Sequence, residues 1–323
     1  MPISGIMNSF IFNFNMKNFL IKSSFYIVAL ILWFAILGLY ADGNTDDNYR
    51  HFTGPRPSNI ILGDSRGSQA LVPDVLDGKF KGREFNNFSL NITESPYGQV
   101  YYEGLKKKLN PDTKNGIFIL TVDPWNLSVN KNIKSDKDLF EHKSALADMH
   151  FYEMSPNYEY LLKHYSRSWF NIFKERESIV KSNTYLHKNG WMEVNVSTHP
   201  DSLKMRENRK VNDYIEFEKT QKLSQYRLKA FQDIITYLKN KGTVYIVRIP
   251  ASKGIMDIEN AYLPDFSRRM EELSKKNDVK FLDFSPEYKK YIYTDGNHMY
   301  KEYGKVFTAQ IADSILLDQK KLK

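Results

Sequence analysis

The chain contains no cysteine among its 323 residues. Disulfide bonds and thiolate metal sites are therefore excluded, although this absence does not by itself assign a redox compartment. Five of the seven histidines fall between residues 125 and 221 without metal-ligand spacing, so we expect neither a metal nor another cofactor. The sequence also lacks zinc-finger, RNA-recognition and basic-zipper patterns, and we therefore expect no nucleic-acid partner.

The composition is that of a folded chain, with 41% apolar and 26% charged residues. A chain of this length buries a substantial core, and either one elaborated domain or two are compatible with it. The formal net charge of +8 is carried in part by runs such as residues 106–108 and 320–323. We interpret these runs as solvated faces, with docking to an anionic polymer or to lipid headgroups as the alternative.

Residues 23–41 form an uncharged apolar run of nineteen residues. As a helix this run would extend about 28 Å, which matches the thickness of a membrane. Lys17 and Lys22 precede it and several aspartates follow from Asp42 onward. The positive-inside rule therefore predicts a cytoplasmic N-terminus at residues 1–22, a transmembrane anchor, and an extracytoplasmic remainder that is periplasmic or at the cell surface.

A cleaved secretory signal is the alternative interpretation of the same run. Met16 would then start a short basic region, and Ala41-Asp42-Gly43 would supply small residues around the cleavage point. We favour the retained anchor because the apolar run is longer than the usual core of a signal peptide. Residues 42–57 are polar and contain glycine and proline, which predicts a tether between membrane and domain.

From residue 58 to the end, apolar runs that resemble strands alternate with helical patterns. The alternation predicts an α/β domain over residues 58–323, with a parallel sheet and helices on both faces. In such sheets a ligand lies beyond the carboxyl ends of the strands. The polar residues expected to converge at that edge are Ser65, Asn91, Asp123 and the loop from Asp295 to His298.

Residues from about 125 to 221 interrupt the alternation with long charged stretches and aromatic clusters. The segment is too long for a loop, and we predict a helical insertion on the catalytic face. Its aromatic residues would either stack on sugar rings or form the small core of the insertion itself. These residues are Tyr158, Tyr160, Tyr165, Trp169 and Trp191.

The stretch Gly63-Asp64-Ser65-Arg66-Gly67 follows three apolar residues. It predicts a short buried strand that runs into a tight turn and presents the Ser65 hydroxyl. A serine nucleophile needs a base and an orienting acid. Near the other end of the chain, Asp295 stands three residues before His298, ahead of a helical pattern. The candidate catalytic residues are therefore Ser65, Asp295 and His298.

Gly63-x-Ser65-x-Gly67 also matches the nucleophile elbow of α/β-hydrolases, but there the serine follows several strands and the acid lies far from the histidine. The order found here resembles the SGNH hydrolase superfamily, also called GDSL esterases and lipases, across most of residues 58–317. The resemblance implies a flavodoxin-like three-layer α/β/α sandwich. It also implies that Ser65 attacks an ester carbonyl, His298 transfers the proton and Asp295 holds the imidazole.

The oxyanion hole departs from the family pattern. Members usually add a glycine from a second block and an asparagine from a third to the backbone amide of the serine. Here residues 87–91 contain no glycine, and Asp123 stands where the asparagine is expected. Because a carboxylate would repel an oxyanion, we expect the Ser65 amide to be joined by Asn91 or Asn126 as donor.

The anchor, the insertion and these departures resemble the envelope branch of the superfamily, which is similar to proteins of alginate O-acetylation and of D-alanyl transfer to teichoic acid. The resemblance implies a serine esterase or O-acyltransferase that acts on acyl, most simply acetyl, esters of an envelope polysaccharide. It also implies a membrane-bound O-acyltransferase as a partner. The alternative is an inactive scaffold that binds glycan or assists such an acyltransferase.

Overall fold

The structure, a computed structural model, describes residues 16–321. Most of the predicted cytoplasmic segment, residues 1–15, and the last two residues of the basic tail lie outside the described residues. The strands are, in chain order, β1 (Asn59–Leu62), β2 (Phe85–Asn87), β3 (Gly116–Thr121), β4 (Ser128–Asn130), β5 (Thr184–Leu186), β6 (Met192–Val194), β7 (Gln221–Leu223), β8 (Gly242–Arg248) and β9 (Lys280–Asp283).

The helices are α1 (Met16–Gly38), α2 (Ser65–Ala70), α3 (Pro73–Lys79), α4 (Gln99–Lys108), α5 (Ala145–Asp148), α6 (Tyr158–Lys163), α7 (Trp169–Lys174), α8 (Pro200–Thr220), α9 (Gln225–Lys239), α10 (Lys253–Tyr262), α11 (Phe266–Asn277) and α12 (Lys301–Lys321). Short 3-10 helices add single turns at Tyr49–Phe52, Trp125–Leu127, Asp136–Asp138, Phe140–Lys143 and Ser285–Lys290.

Five strands form one parallel sheet in the order β2-β1-β3-β8-β9. Counted within this sheet alone, the order is 2-1-3-4-5, which is the order of flavodoxin-like sheets. The prediction of an α/β domain with a parallel sheet is confirmed. The sheet brings the carboxyl ends of β1, β2 and β3 to one edge, and the polar residues that follow these strands lie there.

Helices cover both faces of this sheet. Alternate residues of each strand point to opposite sides, and both sets are apolar, so each face needs a layer of helices to bury it. Ile60 and Leu62 of β1 belong to a core that includes α4, α9 and α11. Ile61 belongs to the core on the other face, which includes α3 and α12. The strand reads as a continuous apolar run for this reason, as buried parallel strands do.

Residues 125–223 leave the main sheet between β3 and α9, close to the predicted insertion. Besides helices α5 to α8, this insertion contains two antiparallel pairs, β4 with β7 and β5 with β6. The sequence pattern missed these pairs, since three-residue strands are too short to show alternation. The hairpin loop between β5 and β6 extends the edge of the main sheet, where the Asn87 amide donates to the Asn189 carbonyl at 2.7 Å.

The prediction that residues 42–57 form a tether is wrong. Tyr49 and Phe52 are fully buried in the main core, and His51 is buried beside them. The glycines and prolines of this segment mark turns, while its aromatic side chains pack under the domain. The segment therefore belongs to the folded body that follows α1.

Helix α1 is long and apolar enough to cross a membrane, by length and composition. It extends from Met16, the first described residue, to Gly38, so it starts at least seven residues before the predicted anchor of residues 23–41 and ends three residues before its end. Its last turn packs on the insertion, where the Tyr158 hydroxyl donates to the Ala35 carbonyl at 2.7 Å and the Trp169 ring meets Phe34 edge-on at 4.9 Å. Three further insertion aromatics are buried, which supports packing rather than sugar stacking: Tyr160, Tyr165 and Trp191.

Candidate active site

Ser65 is the first residue of α2, directly beyond the end of β1. Gly63 makes the turn with φ of +154°, and a Cβ at this position would collide with the Thr121 hydroxyl on the neighbouring strand. Asp64 caps the helix by accepting a hydrogen bond from the Arg66 amide at 3.0 Å. The local sequence therefore produces a strand, a glycine turn and a capped helix that leave the serine side chain partly exposed.

The imidazole of His298 lies within hydrogen-bond distance of this serine. Its Nε2 is 2.8 Å from Ser65 Oγ, and its Nδ1 is 2.9 Å from Asp295 Oδ2. The expectation that these three side chains converge beyond the carboxyl ends of the strands is confirmed by these distances. Their catalytic roles stay predictions.

The loop that holds the acid and the base is a tight turn closed by the acid itself. Asp295 Oδ1 accepts hydrogen bonds from the backbone amides of Asn297 at 3.0 Å and of His298 at 2.9 Å. Gly296 has φ of +86°, a conformation that favours glycine. The Asp-x-x-His spacing therefore fixes both the carboxylate and the imidazole in one turn.

The electrostatics of this turn keep Asp295 ionised. Burial raises the pKa of Asp295, but the His298 hydrogen bonds and the nearby Lys210 of α8 outweigh burial and hold this pKa below its usual range. The Lys210 ammonium lies 3.5 Å from Asp295 Oδ2. An ionised carboxylate at this position fixes the imidazole tautomer that carries its proton on Nδ1 and leaves Nε2 free to accept one.

Arg66, the second residue of α2, connects this helix to the loop that carries Asp295 and His298. It is 3% exposed, and its Nε donates to Asn297 Oδ1 at 2.8 Å. Its guanidinium also pairs with the buried Glu259 of α10 at 2.5 Å and lies 3.8 Å from Asp123. Burial lowers the pKa of Arg66, but the Glu259 and Asp123 carboxylates raise this pKa by more than burial lowers it. The side chain therefore stays charged.

Glu259 binds two guanidinium groups at once. It is fully buried, and its second oxygen accepts from Arg248 of β8 at 3.1 Å. The indole of Trp125 donates to the first oxygen, also at 3.1 Å. Sequence analysis missed this network, which we call the buried ion cluster: Arg66, Asp123, Arg248 and Glu259. The available signal was an arginine directly after the serine, in a turn whose other residues are all small.

Asp123 is a turn-forming residue of this cluster. Its Oδ1 accepts from the backbone amides of Trp125 at 2.8 Å and Asn126 at 3.0 Å. Burial and the neighbouring Asp64 raise the pKa of Asp123 to about 7, against the opposing effect of Arg66. The carboxyl therefore carries less negative charge toward Ser65 than an exposed aspartate would, which lessens the repulsion expected from the sequence.

The two asparagines expected to complete the oxyanion hole are occupied elsewhere. Asn126 is fully buried, accepts from the Asp123 amide at 3.3 Å and donates to the Thr121 carbonyl at 3.4 Å. Asn91 is exposed, and its Oδ1 accepts from the Thr93 and Glu94 amides at 2.9 and 3.2 Å. Within residues 16–321, none of their hydrogen bonds reaches Ser65 or His298.

Other donors do lie near the nucleophile. The Ser65 amide is the first of α2 and therefore has no acceptor within its helix. Beneath it, the Ser89 and Thr121 hydroxyls are buried and have no hydrogen-bond partner among the described residues. A Cβ on Gly67 would lie 2.9 and 2.7 Å from these two oxygens, so only glycine allows the helix to approach the strands this closely.

The insertion frames the site on two sides. From α8, the Arg206 side chain donates to the Thr294 carbonyl at 2.7 Å. From the hairpin of β5 and β6, the Trp191 indole donates to the Gln69 carbonyl of α2 at 3.1 Å. The insertion therefore bonds both to the loop that carries Asp295 and His298 and to helix α2.

The assembled groups can deprotonate a serine hydroxyl and stabilise the resulting imidazolium. Within the described residues no group of three or more histidine, aspartate or glutamate side chains is arranged to hold a metal ion. No protein-family model matches the chain, and no curated protein matches it either.

Proposed function

We propose that this chain is a membrane-anchored, SGNH-type serine esterase or O-acyltransferase that acts outside the cytoplasm on acyl esters, in the simplest case acetyl esters, of an envelope polysaccharide. One observation carries the enzymatic part: Ser65 Oγ lies 2.8 Å from His298 Nε2, while Nδ1 of the same ring lies 2.9 Å from Asp295. The flavodoxin-like strand order and the position of the serine after the first strand support the SGNH assignment.

The chemistry follows from this line of hydrogen bonds. His298 Nε2 accepts the Ser65 hydroxyl proton while Oγ bonds to the ester carbonyl carbon. When the ester C–O bond breaks, the imidazolium returns that proton to the departing alcohol oxygen and an acyl-serine remains. Water or a sugar hydroxyl then gives its proton to Nε2 and attacks the acyl carbon. The bond from that carbon to Ser65 Oγ breaks, and the imidazolium returns the proton to Oγ. Water yields hydrolysis, and a sugar hydroxyl yields transfer.

The packing of α1 supports a retained anchor over a cleaved signal. Leu37 is 3% exposed because it packs on the domain, and a Cβ on Gly38 would collide with the Tyr158 ring. Cleavage after Ala41 would remove this contact and expose the aromatic face of α6 and α7 to water. Lys17 and Lys22 before the apolar run support an N-terminus in the cytoplasm.

Labelling of the full chain with a serine-directed fluorophosphonate, in detergent, tests the catalytic assignment. We expect labelling of the wild type, loss of labelling in Ser65→Ala and strong reduction in His298→Ala. Ser68→Ala is the matched control, because it removes a hydroxyl from the same helix three residues further on. Labelling that is unchanged in Ser65→Ala would contradict the proposal.

An inactive scaffold that binds glycan or assists a membrane-bound O-acyltransferase is the second candidate. It is favoured by the observation that Asn91 and Asn126 hold turns rather than face the serine. Release of acetate from a chromogenic acetyl ester separates the two candidates. Release that disappears in His298→Ala supports the enzyme, whereas a folded wild type that neither reacts with fluorophosphonate nor releases acetate supports the scaffold.

A further inference from the structure

The contacts between α1 and the domain fall inside the apolar run of this helix. Trp169 meets Phe34, Tyr158 bonds to the Ala35 carbonyl, and the Phe173 ring meets Tyr40 edge-on at 5.0 Å. At about 1.5 Å per residue, the stretch from residue 34 to the end of α1 at residue 38 covers roughly 6 Å of the helix axis, and Tyr40 follows in the next turn. If α1 spans a bilayer, its partners on α6 and α7 must lie at the depth of the lipid headgroups.

These same elements expose apolar side chains beside α1. Leu162 is 75% exposed and lies one turn after Tyr158, on the same face of α6. Phe170 is 52% exposed, and its ring contacts Phe173, which in turn contacts Tyr40. Large apolar side chains in such positions are unfavourable in water and favourable in the interfacial region of a bilayer.

The loop after α7 continues this surface beside the end of α1. The Glu177 amide donates to Asp42 at 2.7 Å, and the Asn44 side chain donates to the Val180 carbonyl at 2.9 Å. Ile179, which is 57% exposed, lies on this loop. The loop is thereby bonded to the residues that follow α1 directly, and Ile179 extends the apolar patch along the membrane side of the domain.

The segment that follows Leu162 also carries cationic side chains. Residues 163–181 contain five lysines and arginines, of which Lys163 pairs with Asp148 and Glu159 and Arg167 pairs with Glu175. Arg176 lies over the rings of Phe173 and Tyr40, at 4.0 and 5.1 Å. Lys174 and Lys181 are exposed and form no ion pair within the described part of the chain. Lysines at this depth would contact lipid phosphates, and aromatic rings are enriched at the same level of a membrane.

We propose that α6, α7 and the loop to residue 181 form a membrane-contact surface, with Leu162, Phe170 and Ile179 inserted among lipid headgroups and Lys174 and Lys181 bound to anionic phosphates. The surface holds the domain in one orientation on the outer leaflet, because α1 and the patch engage the same bilayer at two places. The inference rests on the proposed anchoring of α1 and is independent of the proposed catalytic activity.

The cysteine-free chain allows a direct test by site-directed spin labelling of the full protein in liposomes that contain anionic lipid. Phe170→Cys and Ile179→Cys report on the patch, Leu317→Cys on an equally exposed site of α12, and Val28→Cys on the middle of α1. We expect the labels at 170 and 179 to be severalfold less accessible to an aqueous nickel chelate than the label at 317. A combined Lys174→Gln and Lys181→Gln change should reduce that protection.

Each other outcome overturns a defined part of the inference. A buried label at 28 together with patch labels as accessible as 317 would leave the anchor standing and refute the membrane-contact surface. An accessible label at 28 would refute the anchor and the surface together, while fluorophosphonate labelling would still report on catalysis. Protection of 170 and 179 in native membranes but not in liposomes would assign the patch to a membrane protein partner instead of lipid.

Discussion

Ser65 lies between two polar regions of unlike character. Toward the C-terminal loop, Asp295 and His298 are partly accessible and bonded in line with the hydroxyl. Toward the sheet, Asp123 and Glu259 are buried and bonded to arginines and to backbone amides. The first region aligns an imidazole with a serine hydroxyl, whereas the second lies beneath the turn that carries the serine.

The two aspartates illustrate the difference. The pKa of Asp295 is held low because a histidine and a lysine outweigh the cost of its burial. The pKa of Asp123 rises to about 7 because burial and a neighbouring carboxyl outweigh Arg66. The same side chain therefore serves as a permanent counter-charge in one region and as a partly protonated turn residue in the other. Sequence position at the carboxyl edge of the sheet does not distinguish these two roles.

The largest difference in kcat is expected between the variants Asp295→Asn and Asp123→Asn. Loss of the orienting carboxylate should lower kcat for ester hydrolysis by about three to four powers of ten, because the imidazole then takes the wrong tautomer. Asp123→Asn keeps the oxygen that accepts from the Trp125 and Asn126 amides, so it should lower kcat by less than about tenfold. Both constants are measured on the same chromogenic acetyl ester. Similar losses in the two variants would show that both carboxylates act in the reaction.

Glu259→Gln tests whether the second region is a structural support. Removing this charge leaves Arg248 buried without a counter-ion and leaves Arg66 with only the Asp123 carboxyl at 3.8 Å, which should destabilise the protein by about 3–5 kcal/mol. Thermal unfolding of the full chain in detergent measures the effect. Glu272→Gln is the matched control, because Glu272 pairs with Arg268 on the exposed side of α11 and should change stability by about 0.5 kcal/mol or less. An unfolding midpoint unaltered in Glu259→Gln would argue against a supporting role.

The pH dependence of stability offers a further contrast. The folded-state pKa of Asp123, about 7, lies above the unfolded value of about 3.9. Between these values the folded chain retains a proton that the unfolded chain has released, so this group's contribution to stability is lost as the pH rises toward 7. The slope is at most about 1.4 kcal/mol per pH unit.

Denaturant unfolding of wild type and Asp123→Asn at pH 5 and pH 7.5 measures this contribution. We expect the wild type to lose more unfolding free energy between the two pH values than the variant does. An equal change in both proteins would mean that Asp123 does not hold a proton in the folded state at pH 5. Asp295 has the opposite sign, since its lowered pKa contributes stability that is lost as the pH falls below about 4.

The predictable parts of this structure are those set by local sequence and strand order. The apolar residues before Gly63, the glycine turn and the Asp64 cap determine the serine position within a few residues, and a parallel sheet explains how the C-terminal loop reaches it. These features follow from hydrophobic periodicity and turn chemistry, so the fold class and the convergence of Ser65 with His298 could both be predicted.

The remaining parts depend on packing between distant segments. Arg66 finds Glu259 only because α10 lies beneath the turn, and Tyr49 is buried only because the insertion covers it. Asn91 and Asn126 have side-chain N–H donors suited to an oxyanion hole, but their side-chain oxygens accept from neighbouring backbone amides, and these bonds orient both side chains within their own turns. Short-range bonds of asparagine to its own turn compete with such distant roles, and sequence alone does not reveal which prevails.

The smallest effect is expected from Asn91→Ala, which sharpens the comparison at the oxyanion position. Loss of a true oxyanion donor costs about two to three powers of ten in kcat. The Asn91 oxygen instead caps the turn at residues 93–94, so we expect kcat to fall less than about threefold, an effect on the local turn. Asn126→Ala should mainly lower the stability of the protein, because this residue is fully buried. Its kcat is therefore calculated from the concentration of folded protein. A hundredfold loss in Asn91→Ala alone would show that this amide turns toward the substrate on binding and joins the Ser65 amide there.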